Sequence, residues 1–430
     1  MKKLVVFPAR SLQGIVEIPG DKSISHRSVM LGSLATGKTN LNHFLNSADC
    51  RSTIKIFKKM GVKISQKGNQ VTIRGTGLNS LKPPIGMLDA GNSGTTARII
   101  LGLLSGQPFT SRLTGDKYLR RRPMKRVVAP LTQMGARISG PDHGNLLPLK
   151  LEPRGLIGIS YRLPVASAQV KSALLLAGLF ADGKTTVLEP TPTRDHTERM
   201  FSSFSIPFEK SGNKISIQGP IAPFRGRTIK VPGDISSAAF FIVAGLIMPN
   251  SKLVLKNVGI NPTRTGLLDA LKKMGAKITL SPKKARKGEE PVADITVNSS
   301  ELRAVQVGGD IVPRMIDEFP VFAVAATQAK GTTIVRGAGE MKVKESDRIL
   351  MMASTLKKMG ADITPTADGW FIKGPTPLKG CRLSSCGDHR IAMSLAVAAL
   401  IAKGPTTILD TENIDTSFPG FEKKFKSIRK

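Results

Sequence analysis

Charged and hydroxyl side chains gather at a few points of this sequence, each just ahead of an apolar run. Asp21-Lys22-Ser23, with Arg27 about one turn on, sets a cation and a hydroxyl at the start of the first run. Gly91-Asn92-Ser93-Gly94-Thr95-Thr96 reads as a backbone nest that could hold a phosphate; the same letters also describe a plain turn. Arg120-Arg121-Arg122, with Lys125 and Arg126, offers guanidinium forks suited to carboxylate or phosphate. Ser167-Ala168-Gln169 opens another run, where an ordinary helix cap is the competing reading. Acids appear further on, at Asp317-Glu318 and in Lys344-Glu345-Ser346-Asp347-Arg348. Lys344 and Arg348 are four apart and are expected on one face of a helix, with Ile349, Met352, Ala353, Leu356 and Met359 on its buried face. Asp388-His389-Arg390 opens the last run, and His389 is expected to be structural. Such a set could bind anions and move protons.

These groups need elements to position them, and the chain supplies the elements by repetition. FKKMGVKI (57–64), LTQMGARI (131–138), LKKMGAKI (271–278) and LKKMGADI (356–363) each read as an amphipathic helix stopped by Gly and followed by a strand. A weaker relative runs from 201 to 219. Between these copies lie apolar segments beginning near residues 18, 89, 164, 231, 316 and 386. Each is apolar nearly all round and so predicts a buried helix, with the Lys-bearing helix outside. Six α/β units result, most simply three per domain. IPGD (18–21) and VPGD (231–234) are the expected crossing points. One domain would then span 20–231 and the other 1–19 plus 232–430, with hinge closure around a ligand expected from the double linkage. A helix start presents unpaired N–H groups and a positive dipole end. Several starts facing one cleft would therefore form an anion site.

Composition narrows the function. The formal net charge is +33, a field that draws in anions. Nucleic acid, an anionic membrane or small phosphorylated metabolites would suit it equally. Lys283, Lys284, Arg286 and Lys287 form the other dense basic cluster, in an expected solvated loop. With two Tyr and one Trp, stacking platforms for single-stranded nucleic acid are thin. Cys50, Cys381 and Cys386 cannot all pair and show no metal-ligand spacing with the histidines, which favours a reducing, cytoplasmic compartment. The first residues hold too short an apolar run for a signal peptide. The longest apolar stretch, 238–248, is well short of a membrane span.

In order, the phrases PGDKSISHR, AGNSGTTAR, RRRPM, ASAQVKSALLLAG, TRDHTER, IDEFP, VKESDR and GDHR closely resemble the 5-enolpyruvylshikimate-3-phosphate (EPSP) synthase family nearly end to end. The resemblance implies an α/β fold of two domains, each of three repeated units with helices inside and sheets outside. It implies that Lys22, Ser23, Arg27, Ser167, Gln169, Arg194, Asp317 and Lys344 contact shikimate 3-phosphate. Lys22, Gly94, Arg122, Gln169, Arg348 and Arg390 would hold phosphoenolpyruvate. Ala168 lines the first of these sites where many members have a second Ser, which removes a hydroxyl contact. Thr416 stands where many have a Lys on phosphoenolpyruvate. Both departures resemble the more divergent second class of the family. Gly94 matches the family position at which Ala confers glyphosate resistance, so the resemblance implies inhibition here.

Bringing two anionic substrates together requires cations to offset their repulsion. Asp317 is the expected base on the acceptor 5-hydroxyl, and Glu345 the expected acid at C3 of phosphoenolpyruvate, with Lys22 assisting. An acid needs a raised pKa, against which Lys344 and Arg348 would work. No metal or organic cofactor is implied, and a monomer without nucleic-acid or membrane partner is expected. The sister transferase acting on a UDP-linked amino sugar usually has a loop Cys near the Arg122 region; residues 110–126 contain none. A basic nucleic-acid-binding protein would account for the charge but not for the Asp317 and Glu345 pattern.

Overall fold

The computed structural model describes residues 2–286 and 288–430. Lys287, of the second basic cluster, lies outside them, while Lys283, Lys284 and Arg286 are exposed. Two compact units divide the chain: an N-terminal unit of Gly20–Val231 with Ala285–Glu290, and a C-terminal unit of Met1–Pro19, Pro232–Lys284 and Pro291–Lys430. The stretch 285–290, expected with the second domain, thus packs with the first. There Arg199 donates to the Glu289 carbonyl at 3.1 Å and Ser203 to that of Gly288 at 3.0 Å.

Six inner helices carry the expected repeats. In the N-terminal unit they are α1 (Lys22–Leu34), α2 (Gly94–Ser105) and α3 (Ala168–Gly178). In the C-terminal unit they are α4 (Ile235–Ile247), α5 (Phe319–Thr327) and α6 (His389–Leu400). Their residues are buried almost without exception, which is why an apolar pattern all round fits them. Side-chain caps start five of the six. Asp21 accepts from Ile24 N, Ser93 from Thr96 N, Ser167 from Val170 N, Asp234 from Ser236 N, and Asp388 from Arg390 N. The caps and the candidate site residues are therefore the same short phrases.

The outer helices Ala48–Lys59, Lys125–Gln133, Gly266–Lys273 and Arg348–Lys358 all end at a glycine in the left-handed region: Gly61, Gly135, Gly275 and Gly360, with φ of 87°, 97°, 90° and 96°. In the weaker repeat, Ser205 takes that place at φ 59°, after the helix His196–Ser203. Lys344 and Arg348 do not share a helix. Asp347 accepts from Ile349 N and Leu350 N and so starts the helix at Arg348, leaving Lys344 at the end of a 3-10 turn, Gly339–Val343. The expected buried face, from Ile349 to Met359, does face the core.

Among the described residues each unit has three sheets. In the N-terminal unit, the final strand Thr228–Lys230 returns to pair in parallel with Thr36–Asn42 of the first repeat, Ile229 opposite Leu41. In the C-terminal unit, Gln13–Glu17 runs parallel to Lys252–Gly259, and Lys3–Val6 runs antiparallel to Thr406–Leu409. Close approach dictates Gly102 of α2, where a Cβ would lie 1.9 Å from the Ala173 carbonyl oxygen of α3. Among few aromatics, Phe418, Phe421 and Phe425 pack around Phe241 in the C-terminal core, at ring separations of 5.7 to 6.1 Å. Among the described residues no helix is long and apolar enough to cross a membrane.

Candidate active site

In the N-terminal unit the capped starts of α1, α2 and α3 set the polar groups. Lys22 Nζ lies 3.0 Å from Asp49 Oδ2, both partly buried. Arg27 is buried and donates from Nε to Thr197 Oγ1 at 2.9 Å, from Nη2 to Ser172 Oγ at 2.7 Å and from Nη1 to the Ser23 carbonyl at 3.0 Å. One turn beneath Lys22, His26 Nδ1 is 2.7 Å from Thr53 Oγ1, which meets Thr96 Oγ1 at 2.8 Å. Thr96 in turn donates to the cap Ser93 at 2.7 Å. Burial first, then the charges of Lys22 and Arg27, hold the His26 pKa well below 6.5, so the ring is neutral near pH 7. Burial likewise pushes the Cys50 thiol up, which keeps it an unreactive neighbour at 3.8 Å from His26.

Gly94 is the first residue of α2, and a Cβ there would lie 3.0 Å from Arg122 Nη1 and 2.8 Å from Arg98 Nη1. The Arg122 guanidinium can rest there because Gly94 has no side chain. Arg98 also donates to Gln169 Oε1 at 3.3 Å, and Gln169 Nε2 to Thr95 Oγ1 at 3.2 Å. Gly94, Arg122 and Gln169 are thus brought together. Arg98 is the group that sequence reasoning passed over, although it closes the phrase AGNSGTTAR on the same helix face as Gly94. Ser167, Ala168 and Gln169 are half-buried at the start of α3, and Arg194 is half-buried in the loop before His196–Ser203.

In the C-terminal unit Arg348, 1% exposed, gathers three carboxylates. Its Nε donates to Asp388 Oδ2 at 2.8 Å, Nη2 to Glu345 Oε2 at 2.6 Å, and Nη1 to Asp317 Oδ1 at 3.4 Å. Arg390 Nη2 lies 3.5 Å from Asp317 Oδ2, and Ser346 Oγ donates to Asp388 Oδ2 at 3.1 Å. Burial acts against charge on Arg348, yet the carboxylates, Asp388 foremost, raise its pKa above the ordinary value. Burial would equally raise Asp388, and the Arg348 charge outweighs it, so Asp388 is held below the usual carboxylate range. Glu345 is the most exposed of the three acids. Lys344 is half-buried beside it, and His389 is buried in the first turn of α6. Thr416 donates to the Asn413 carbonyl at 2.6 Å, and Asn413 Nδ2 to the Gly387 carbonyl at 2.5 Å. The position at which many family members carry a Lys thus lies in a turn tied to the start of α6.

Arg264, which no sequence signal announced, forms a network with Glu318. Arg264 Nη2 donates to Ser236 Oγ at 2.7 Å and lies 3.3 Å from Asp234, while Ser236 also bonds Glu318. It joins the start of α4 to the start of α5, next to Asp317.

Cations, hydroxyls and acids at inner-helix starts, on two units of three α/β repeats, define an enzyme of the two-domain enolpyruvyl-transferase fold that handles anionic small molecules. The chain belongs to the EPSP synthase (3-phosphoshikimate 1-carboxyvinyltransferase) family, whose model matches residues 6–425. It is 55% identical over 421 residues to the 3-phosphoshikimate 1-carboxyvinyltransferase of Geobacillus kaustophilus (strain HTA426), covering 97% of this chain and 98% of that protein. To the enzyme of the same name from Bacillus subtilis (strain 168) it is 52% identical, covering 98% of both. The solved EPSP synthase from Acinetobacter baumannii is 46% identical, with a TM-score of 0.90 over 100% of this chain and 98% of that one.

Proposed function

We propose that this chain transfers the carboxyvinyl group of phosphoenolpyruvate to the 5-hydroxyl of shikimate 3-phosphate, releasing phosphate, in the shikimate pathway to the aromatic amino acids. The observation that carries this is the end-to-end identity with 3-phosphoshikimate 1-carboxyvinyltransferases. On this reading Lys22, Ser23, Arg27, Ser167, Gln169, Arg194, Asp317 and Lys344 bind shikimate 3-phosphate, with Ala168 alongside. Lys22, Gly94, Arg122, Gln169, Arg348 and Arg390 bind phosphoenolpyruvate.

The chemistry asks for these types. Protonation of C3 makes C2 of phosphoenolpyruvate electrophilic, and the acceptor oxygen attacks C2 as a base takes its proton. The tetrahedral adduct then loses phosphate from C2 and a proton from C3, restoring the double bond. Asp317 is the base, held between Arg348 and Arg390. Glu345, which accepts from Arg348, serves C3, with Lys22 assisting. Cations around the phosphate stabilise the charge that develops on the leaving group. We further take the enzyme to be a cytoplasmic monomer; its free thiols fit a reducing compartment. Gly94 supports sensitivity to glyphosate.

The test is phosphate release from the two substrates mixed with the purified protein. Release that depends on both substrates and is lost in Asp317→Ala is expected. No release from a folded sample, or full activity in Asp317→Ala, removes the reading.

A further inference from the structure

Lys171 sits in the second turn of α3, a largely apolar helix in which it is the one charged residue, and is only 1% exposed. Its Nζ lies 3.0 Å from Glu189 Oε2 and 2.7 Å from Glu198 Oε1, carboxylates that are themselves 3% exposed. A buried ion cluster of this kind gives little stability beyond what an apolar side chain of the same volume would give, because desolvation opposes the attraction. Stability alone is therefore a poor account of it. Its geometry suggests another.

Glu189 directly follows the strand Gly183–Leu188, and Glu198 lies in the first turn of the helix His196–Ser203. Lys171 therefore pins both ends of the segment 189–198, which carries Arg194 and Thr197. Within that segment Glu189 Oε1 also accepts from the Thr193 backbone N–H at 3.1 Å and from the Thr193 hydroxyl. Thr197 and Ser172, chain neighbours of Glu198 and Lys171, are the two hydroxyls that accept from Arg27. They lie 2.8 Å apart, and Ser172 donates to the Ala168 carbonyl at 2.6 Å. That settles the direction of every proton: Thr197 donates to Ser172, Ser172 donates to Ala168, and both oxygens accept from Arg27.

We infer that Lys171, clamped between Glu189 and Glu198, is a positioning residue that aims Arg27 and the Arg194 loop through Ser172 and Thr197, and so sets affinity for the phosphorylated acceptor without touching it. The inference rests on the assignment of Arg27 to shikimate 3-phosphate made above. A guanidinium binds an oxyanion well only when its fork is held in plane, and here two hydroxyls placed by one buried ion cluster hold it.

Steady-state kinetics of the full chain test this. Lys171→Met and Thr197→Val are each expected to raise the KM for shikimate 3-phosphate by about 10-fold, the loss of one hydrogen bond to a charged group. The KM for phosphoenolpyruvate and kcat should stay near the parent values. Because both act through one contact, the double variant should be no worse than the larger single effect. Multiplying effects, or a lowered melting temperature with an unchanged acceptor KM, overturn the inference. If Lys171→Met alone fails to fold, Lys171→Met with Glu189→Gln and Glu198→Gln removes the uncompensated charges and takes its place, under the same criteria. Arg27→Ala, measured alongside, separates the two ways of failing. An unchanged acceptor KM there overturns the binding assignment and the inference together; a raised one beside unaffected Lys171 and Thr197 variants overturns the inference alone.

Discussion

In the N-terminal unit Arg27 and Arg98 donate to hydroxyls, an amide and backbone carbonyls, with Asp49 beside Lys22. In the C-terminal unit Arg348 and Arg390 are set among Asp317, Glu345 and Asp388. Hydroxyls set the plane of the Arg27 guanidinium, whereas Arg348 in turn holds three carboxylates. The first arrangement suits the grip of an anionic ligand. The second fixes acids in place, as proton transfer requires. The same helix-start geometry, repeated by the chain, is thus put to two uses by the choice of partner.

The sharpest way to break this comparison is to remove the acid beside Arg390. Asp317→Asn is expected to slow phosphate release by about 10²–10⁴-fold with the fold intact, whereas Arg27→Ala should act mainly on the KM for shikimate 3-phosphate. A rate loss of the same size in Arg27→Ala, or an undiminished rate in Asp317→Asn, would erase the distinction.

Next in size is stability. Asp388→Ala leaves Arg348 buried with one carboxylate fewer and should lower stability by about 3–5 kcal/mol, read by denaturant unfolding. Asp49→Ala, at a more solvated pair, should lower it by about 1 kcal/mol or less.

Acid should reach the two units at different pH. His26 has a folded pKa below its unfolded value, so the unfolded chain binds the extra proton and stability falls as pH drops below about 6.5. Asp388 is also depressed, so its contribution is present above its unfolded value of about 3.9 and is lost as pH falls through the lower, folded one. Melting temperature against pH should lose the upper decline in His26→Asn and retain it in Asp388→Asn. The smallest expected effect is at Gly94→Ala. The new methyl meets the movable ends of Arg122 and Arg98 rather than backbone, so the KM for phosphoenolpyruvate should rise several-fold with kcat little changed.

Much of this is legible in the sequence, and particular residues show why. Gly61, Gly135, Gly275 and Gly360 announce helix ends because a left-handed turn favours the residue without a Cβ. Asp21, Ser93, Ser167 and Asp388 announce helix starts because a cap bonds an N–H two or three residues away. Lys344 and Arg348 show the limit. Their spacing suits a helix, but the cap at Asp347 between them decides where the helix begins.

What the chain determined by itself is therefore local: six apolar helices, their caps and their stops, and the polar phrases carried at their starts. Each depends on atoms within a few residues, so composition and spacing suffice. Only the tertiary structure decided which charges meet. Lys171 finds Glu189 and Glu198 18 and 27 residues away, and Arg27 finds Ser172 145 residues away. Such partners are chosen by how helices pack, and a buried charge accepts only a partner within a few ångströms, a distance that no periodicity along the chain encodes.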